Sequence, residues 1–117
     1  LIECMKLVGS NEKTIYWSGT FPGEIDLSWT PNGFGPGQFC FVYCDMDTYQ
    51  ATKDAIEFFW QRMVPGGIMI FDDFRWVPCA GDEKAVDERF CKVVGDPAID
   101  FKLRIVKDQY ACIVEKL

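Results

Sequence analysis

The sequence predicts one α/β domain built on a mostly parallel sheet that closes with an antiparallel hairpin. Three observations carry this expectation. Phe39-Cys-Phe-Val-Tyr-Cys44 and Ile68-Met-Ile-Phe71 are unbroken apolar runs, the pattern of strands buried on both faces of a parallel sheet. Between them Ala55, Ile56, Phe59, Trp60 and Met63 recur at helical spacing, with Lys53, Asp54, Glu57 and Gln61 on the other side. Strand, helix and strand within about 35 residues make a βαβ unit. After it, residues 101 to 115 hold two strand-like runs around Lys107-Asp108-Gln109, which fits a tight hairpin.

The elements follow in order. Leu1 to Val8 carries apolar residues at near-helical spacing and reads as the tail of a helix, ended by Gly9. Thr14 to Ser18 is strand material, broken by the turn from Gly19 to Gly23. Glycines and prolines interrupt Ser28 to Gln38, so this stretch reads as an internal loop. Asp45 ends the first apolar run. A helix over 49–64 follows, and Pro65-Gly66-Gly67 is expected to stop it before the second run ends in Asp72-Asp73. Asp82 to Val94 sets Ala85, Val86, Phe90, Val93 and Val94 on one side of a further helix, with Gly81 or Asp82 as its cap and Gly95 and Pro97 at its end.

Composition bounds the function. The chain has 117 residues, 49% of them hydrophobic, which is enough for one core and not for two. Its apolar stretches reach about six residues, far below the ~20 of a membrane-spanning helix. A net charge of −6 with scattered Lys and Arg argues against nucleic acid or anionic membrane as a partner. The six cysteines form no CxxC and lie mostly in apolar runs, so they read as reduced core residues of a cytoplasmic protein, Cys40 and Cys44 among them. Histidine is absent, which removes His-based triads and His-ligated zinc and leaves carboxylates, lysine and metal ions. The start at Leu1, without Met or a charged leader, leads us to expect a fragment.

Ligands of an open parallel sheet bind beyond the carboxyl ends of the strands, where Asp45, Asp72 and Asp73 fall. Neighbouring strands lie only ~4.8 Å apart, so acids at their tips converge. Carboxylates that close raise one another's pKa, and a divalent cation resolves the conflict. Oxygen ligands without His point to Mg²⁺, Mn²⁺ or Ca²⁺. The blander readings are an ordinary polar strand end for Asp72-Asp73 and packing for Phe74 and Trp76. Asp47 stands three residues before Gln50, the capping-box spacing, so helix capping competes with catalysis there.

The segments Cys44-Asp-Met-Asp-Thr-Tyr49, Val64-Pro-Gly-Gly-Ile68, Ile70-Phe-Asp-Asp-Phe74 and Ala85-Val-Asp-Glu-Arg-Phe90 resemble, in order and spacing, the carboxyl-terminal half of the macrocin O-methyltransferase family. Those enzymes use S-adenosylmethionine, have the class I methyltransferase (Rossmann-like) fold and methylate sugar hydroxyls. The resemblance implies that residues 1–117 form a single partial domain, strands three to seven of that fold, lacking its first strands and glycine-rich cofactor turn. It implies Asp45, Asp72 and Asp73 as ligands of a Mg²⁺ that binds neighbouring substrate hydroxyls. A nearby carboxylate, Asp45 or Asp47, takes the proton, and Gly19, Thr20 and Phe21 lie beside the cofactor's adenosine. A small-molecule hydroxyl substrate and a homo-oligomer that covers bare sheet are expected with it.

Two other classes fit parts of the sequence. A phosphoacceptor receiver domain has this length, but it needs an acid pair near its amino end and a lysine after a later parallel strand. A noncatalytic α/β module that self-associates through bare sheet is the second alternative.

Overall fold

The computed structural model describes residues 20, 21, 23, 38–91 and 99–117. The helix expected at 1–8, the strand at 14–18, Gly19, the loop before Gln38 and the helix end at 92–97 lie outside the described residues. Within them the order is β1 (Phe39–Cys44), α1 (Tyr49–Trp60), β2 (Met63–Phe71), α2 (Ala80–Val86) with a π-helical turn over Asp87–Cys91, β3 (Phe101–Val106) and β4 (Ala111–Lys116).

The four strands form one sheet in the order β1-β2-β4-β3. β1 and β2 are parallel neighbours with Phe41 opposite Ile68 and Cys44 opposite Phe71, as the βαβ pattern required. The hairpin supplies the one reversed strand, β4, antiparallel to both β2 and β3. Its turn is a short 3₁₀ segment, Lys107–Gln109, closed by Tyr110 in the left-handed region at φ 47°.

Both helices pack on the same sheet face. Ala55, Ile56 and Trp60 of α1 and Ala85, Val86 and Phe90 after it bury against Val42, Cys44, Met69, Phe71, Cys112 and Val114. Each large side chain buried there, such as Ile56, Phe71 or Phe90, contributes about 1.5–3 kcal/mol by leaving water. The expectation of strands buried on both faces is therefore corrected. No described element covers the opposite face, where Phe41 and Tyr43 are 55% and 54% exposed and Ile68 is also open.

Three further expectations change. The helix over 49–64 ends at Trp60, and β2 already begins at Met63. Pro65-Gly66-Gly67 instead forms an excursion in the ladder, which jumps from the Phe39–Met63 pair to Phe41–Ile68, with Gly66 at φ 79°. That irregularity puts Phe39 in contact with Phe59 of α1, while Cys40 is exposed rather than in the core. At α2 neither Gly81 nor Asp82 is the cap. Cys79 holds that position without a side-chain capping bond, and both residues lie in the first turn.

Candidate active site

β1 and β2 deliver their acids to one end of the sheet. The ladder continues past the strands, with the Asp72 N–H donating to the Cys44 carbonyl at 2.9 Å, which sets Asp72 beside Asp45. The chain then turns sharply. Asp73 and Arg75 both have left-handed backbones, at φ 52° and 65°, and the Asp73 N–H donates to the Asp72 carboxylate at 3.0 Å. Asp45, Asp72 and Asp73 each present a carboxylate oxygen, all within 4.8 Å of one another. Non-glycine residues held in this backbone region cost about 1–3 kcal/mol each and collect where function fixes a loop.

Asp47 joins this group by a route that the sequence did not show. The N-cap of α1 is Thr48, whose extended backbone suits a cap and whose hydroxyl accepts from the Ala51 N–H at 3.4 Å. Asp47, at φ 60°, is no cap, and Gln50 bonds Asp54 instead of reaching back. The exposed Asp47 carboxylate therefore lies free of the helix end, in a second cluster with Asp73 and Cys79.

Electrostatics follow from the crowding. Partial burial, then the charges of Asp72, Asp47 and Asp45, holds the Asp73 carboxyl above the usual range. Burial, then the charges of Asp73, Asp47 and Asp82, pushes the Cys79 thiol up, and its Sγ lies 3.9 Å from the Asp73 carboxylate as a weak donor. The Asp45, Asp72 and Asp73 set offers three hard carboxylates, which fits Mg²⁺, Mn²⁺ or Ca²⁺.

Two residues of this region escaped the sequence reading. Tyr43 hydrogen-bonds Asp72, which holds its phenol above the ordinary value. Strand alternation two residues before Asp45 was the available signal. Asp82 is buried at 3% exposure and accepts from the Thr52 hydroxyl at 2.5 Å, joining α2 to α1 beneath the acids. Burial raises its carboxyl, and Asp47, Asp73 and Asp45 add to the effect.

The remaining expected residues are not members of this cluster. Phe74 is a packing residue at 1% exposure, whereas Trp76 is 46% exposed. Thr20 is exposed. Phe21 stacks on Phe59 and meets Phe58 edge-on. Phe59 also touches Phe39, so Phe21 sits by the amino end of β1, the end opposite the acids. Five cysteines, Cys40, Cys44, Cys79, Cys91 and Cys112, are free thiols, and burial lifts Cys44 and Cys112 to about 12. No helix among the described residues is long and apolar enough to cross a membrane.

A parallel βαβ unit followed by an inserted antiparallel strand makes a partial Rossmann-like α/β fold. Among solved structures the chain is similar to the O-methyltransferase NovP, at 23% identity and TM-score 0.56 over 72% of this chain and 32% of that one. It is also similar to CalS11, a TDP-rhamnose 3′-O-methyltransferase of calicheamicin biosynthesis, at 20% identity and TM-score 0.50 over 67% of this chain and 31% of that one. The chain therefore spans about a third of the length of each. No family profile and no curated protein matches it.

Proposed function

We propose that this chain is the acid-bearing part of an S-adenosylmethionine-dependent, divalent-metal-assisted O-methyltransferase that acts on a hydroxyl of a sugar or similar small molecule. The observation that carries this reading is the convergence of Asp45, Asp72 and Asp73 within 4.8 Å at the ends of two parallel strands. The similarity to a TDP-rhamnose 3′-O-methyltransferase supports the substrate class.

In this reading Asp45, Asp72 and Asp73 hold Mg²⁺ or another divalent cation. A cation bound there supplies Lewis acidity that makes a substrate hydroxyl easier to deprotonate. Asp47, left free of capping by Thr48, would take the hydroxyl proton as the O–CH3 bond forms and the sulfonium S–CH3 bond breaks, releasing S-adenosylhomocysteine. Asp45 is the alternative base. Tyr43 and the Asp73 N–H both donate to Asp72 and fix its orientation. The adenosine-side role of Gly19, Thr20 and Phe21 rests on the family resemblance alone, since the Phe21 ring is engaged with α1.

Calorimetric titration of Mn²⁺ into the wild type and Asp72→Asn tests the reading. At least tenfold weaker binding by the variant is expected, and equal binding reduces the acids to a polar strand end. A second reading, a noncatalytic self-associating module of a cytoplasmic protein, is favoured by the open face at Phe41, Tyr43 and Ile68. Self-association belongs to both readings, and only the first requires the metal.

A further inference from the structure

Trp76 and Tyr110 stand beside the acid cluster without a structural reason for their exposure. The Trp76 N–H donates to the Asp73 carbonyl at 3.0 Å and its own carbonyl accepts from the Cys79 N–H at 2.9 Å, so its backbone is tied to the acidic turn on both sides. Its side chain is nevertheless 46% exposed, while Phe74, two residues earlier, is 1% exposed. Tyr110 comes from the β3–β4 turn. It precedes Cys112, which pairs with Phe71, the last residue of β2 before Asp72, so the two turns share one end of the sheet.

Tyr110 adopts φ 47° and remains 50% exposed. A bulky residue in that region is strained, and glycine serves such a turn without strain. Here the strain is not offset by burial of the ring. The two rings lie 6.3 Å apart, tilted by 34°. Core pairs span a similar range, from Trp60 and Phe90 at 4.9 Å and 70° to Phe71 and Phe90 at 6.2 Å and 51°, but there both rings are buried. Strained, exposed Tyr110 thus lies at the sheet end that carries the carboxylates, and such strain motivates a functional reading of the surface.

We propose that Trp76 and Tyr110 form an aromatic platform that seats the uncharged ring of an acceptor sugar, with its hydroxyls turned toward Asp45, Asp72 and Asp73. The proposal rests on the functional reading above and deepens it by assigning residues that select the acceptor. Aromatic faces receive the C–H side of a pyranose, and each offers a polar edge, the indole N–H or the phenol. The four neighbouring acids, Asp45, Asp47, Asp72 and Asp73, repel a carboxylate or phosphate placed on the ring itself.

The test uses methyl α-mannopyranoside, which carries adjacent hydroxyls, followed by saturation-transfer NMR with Mg²⁺ present, and Mn²⁺ calorimetry on the same proteins. Trp76→Ala and Tyr110→Gly are each expected to weaken glycoside binding at least fivefold and to leave Mn²⁺ affinity within twofold of wild type. Tyr110→Gly is also expected to raise the melting temperature, because it relieves the turn, so its loss of binding is not a loss of folding. Unchanged glycoside binding in both variants, or a wild type that does not bind the glycoside, overturns the platform even if Mn²⁺ binds normally. Tighter binding of catechol than of the glycoside overturns the sugar assignment. A wild type that fails to bind Mn²⁺ sinks the metal reading instead, and Trp76-dependent glycoside binding then still supports the platform.

Discussion

Replacing Gly81 by alanine tests how closely the two helices are set beneath the acids. A Cβ at Gly81 meets the backbone nitrogen of Tyr49 at 2.5 Å and the Tyr49 Cα and Cβ at 3.1 Å. Carbon atoms rest about 3.5–4.0 Å apart, so α2 has to retreat by about 1 Å. Such overpacking costs about 1–3 kcal/mol. The same movement stretches the 2.5 Å bond from Thr52 to Asp82, and losing a hydrogen bond to a charged group costs about 1.5–3 kcal/mol. Alanine's better helix propensity returns about 1 kcal/mol. The net expectation is a loss of about 1.5–5 kcal/mol, read by urea denaturation with an unchanged m-value. Gly66→Ala is the control. It meets nothing within 4 Å and carries only the strain of φ 79°, about 1–2 kcal/mol. A Gly81→Ala protein as stable as wild type would refute the close setting of α2 against Tyr49.

The other expected outcomes concern the same region. Thr52→Val leaves the buried Asp82 without its donor and should cost about 1–3 kcal/mol in chemical denaturation. Because burial raises the Asp82 pKa in the folded state, its favourable contribution is full below the unfolded carboxyl value of ~3.9 and is lost as pH rises through the folded value. Asp82→Asn should flatten that part of the stability profile, and an unchanged profile removes Asp82 as its source. Calorimetry should find no submicromolar binding of S-adenosylmethionine to this chain alone, since the reading gives it only the acid-bearing part of the cleft; tight binding by a monomer would relocate the cofactor site. Light scattering should find a dimer or larger species that Phe41→Asp dissociates, because that side chain lies on the open face.

The sequence alone determined the βαβ unit, the hairpin and the acids at the strand tips. Each rests on local signals: the unbroken run Phe39–Cys44, the helical spacing of Ala55, Ile56, Phe59 and Trp60, and the alternation around Lys107-Asp108-Gln109. The adjacency of Asp45 and Asp72 followed once those strands were neighbours, because a parallel ladder carries its register past the strand ends. What only tertiary structure decided depends on backbone angles and on contacts between distant residues. The left-handed backbone of Asp47 gave the cap to Thr48, although both residue types cap helices well. Gly81 looked like a candidate cap at the helix start and proved to be the point where α2 touches Tyr49, a contact across 32 positions that no local pattern encodes. The apolar run of β1 could not tell one covered face from two, because hydrophobicity records what a strand can bury and not what lies upon it. Trp76 and Tyr110 meet only because Cys112 pairs with Phe71, and a register between strands 41 residues apart is written in the assembled sheet rather than in either segment.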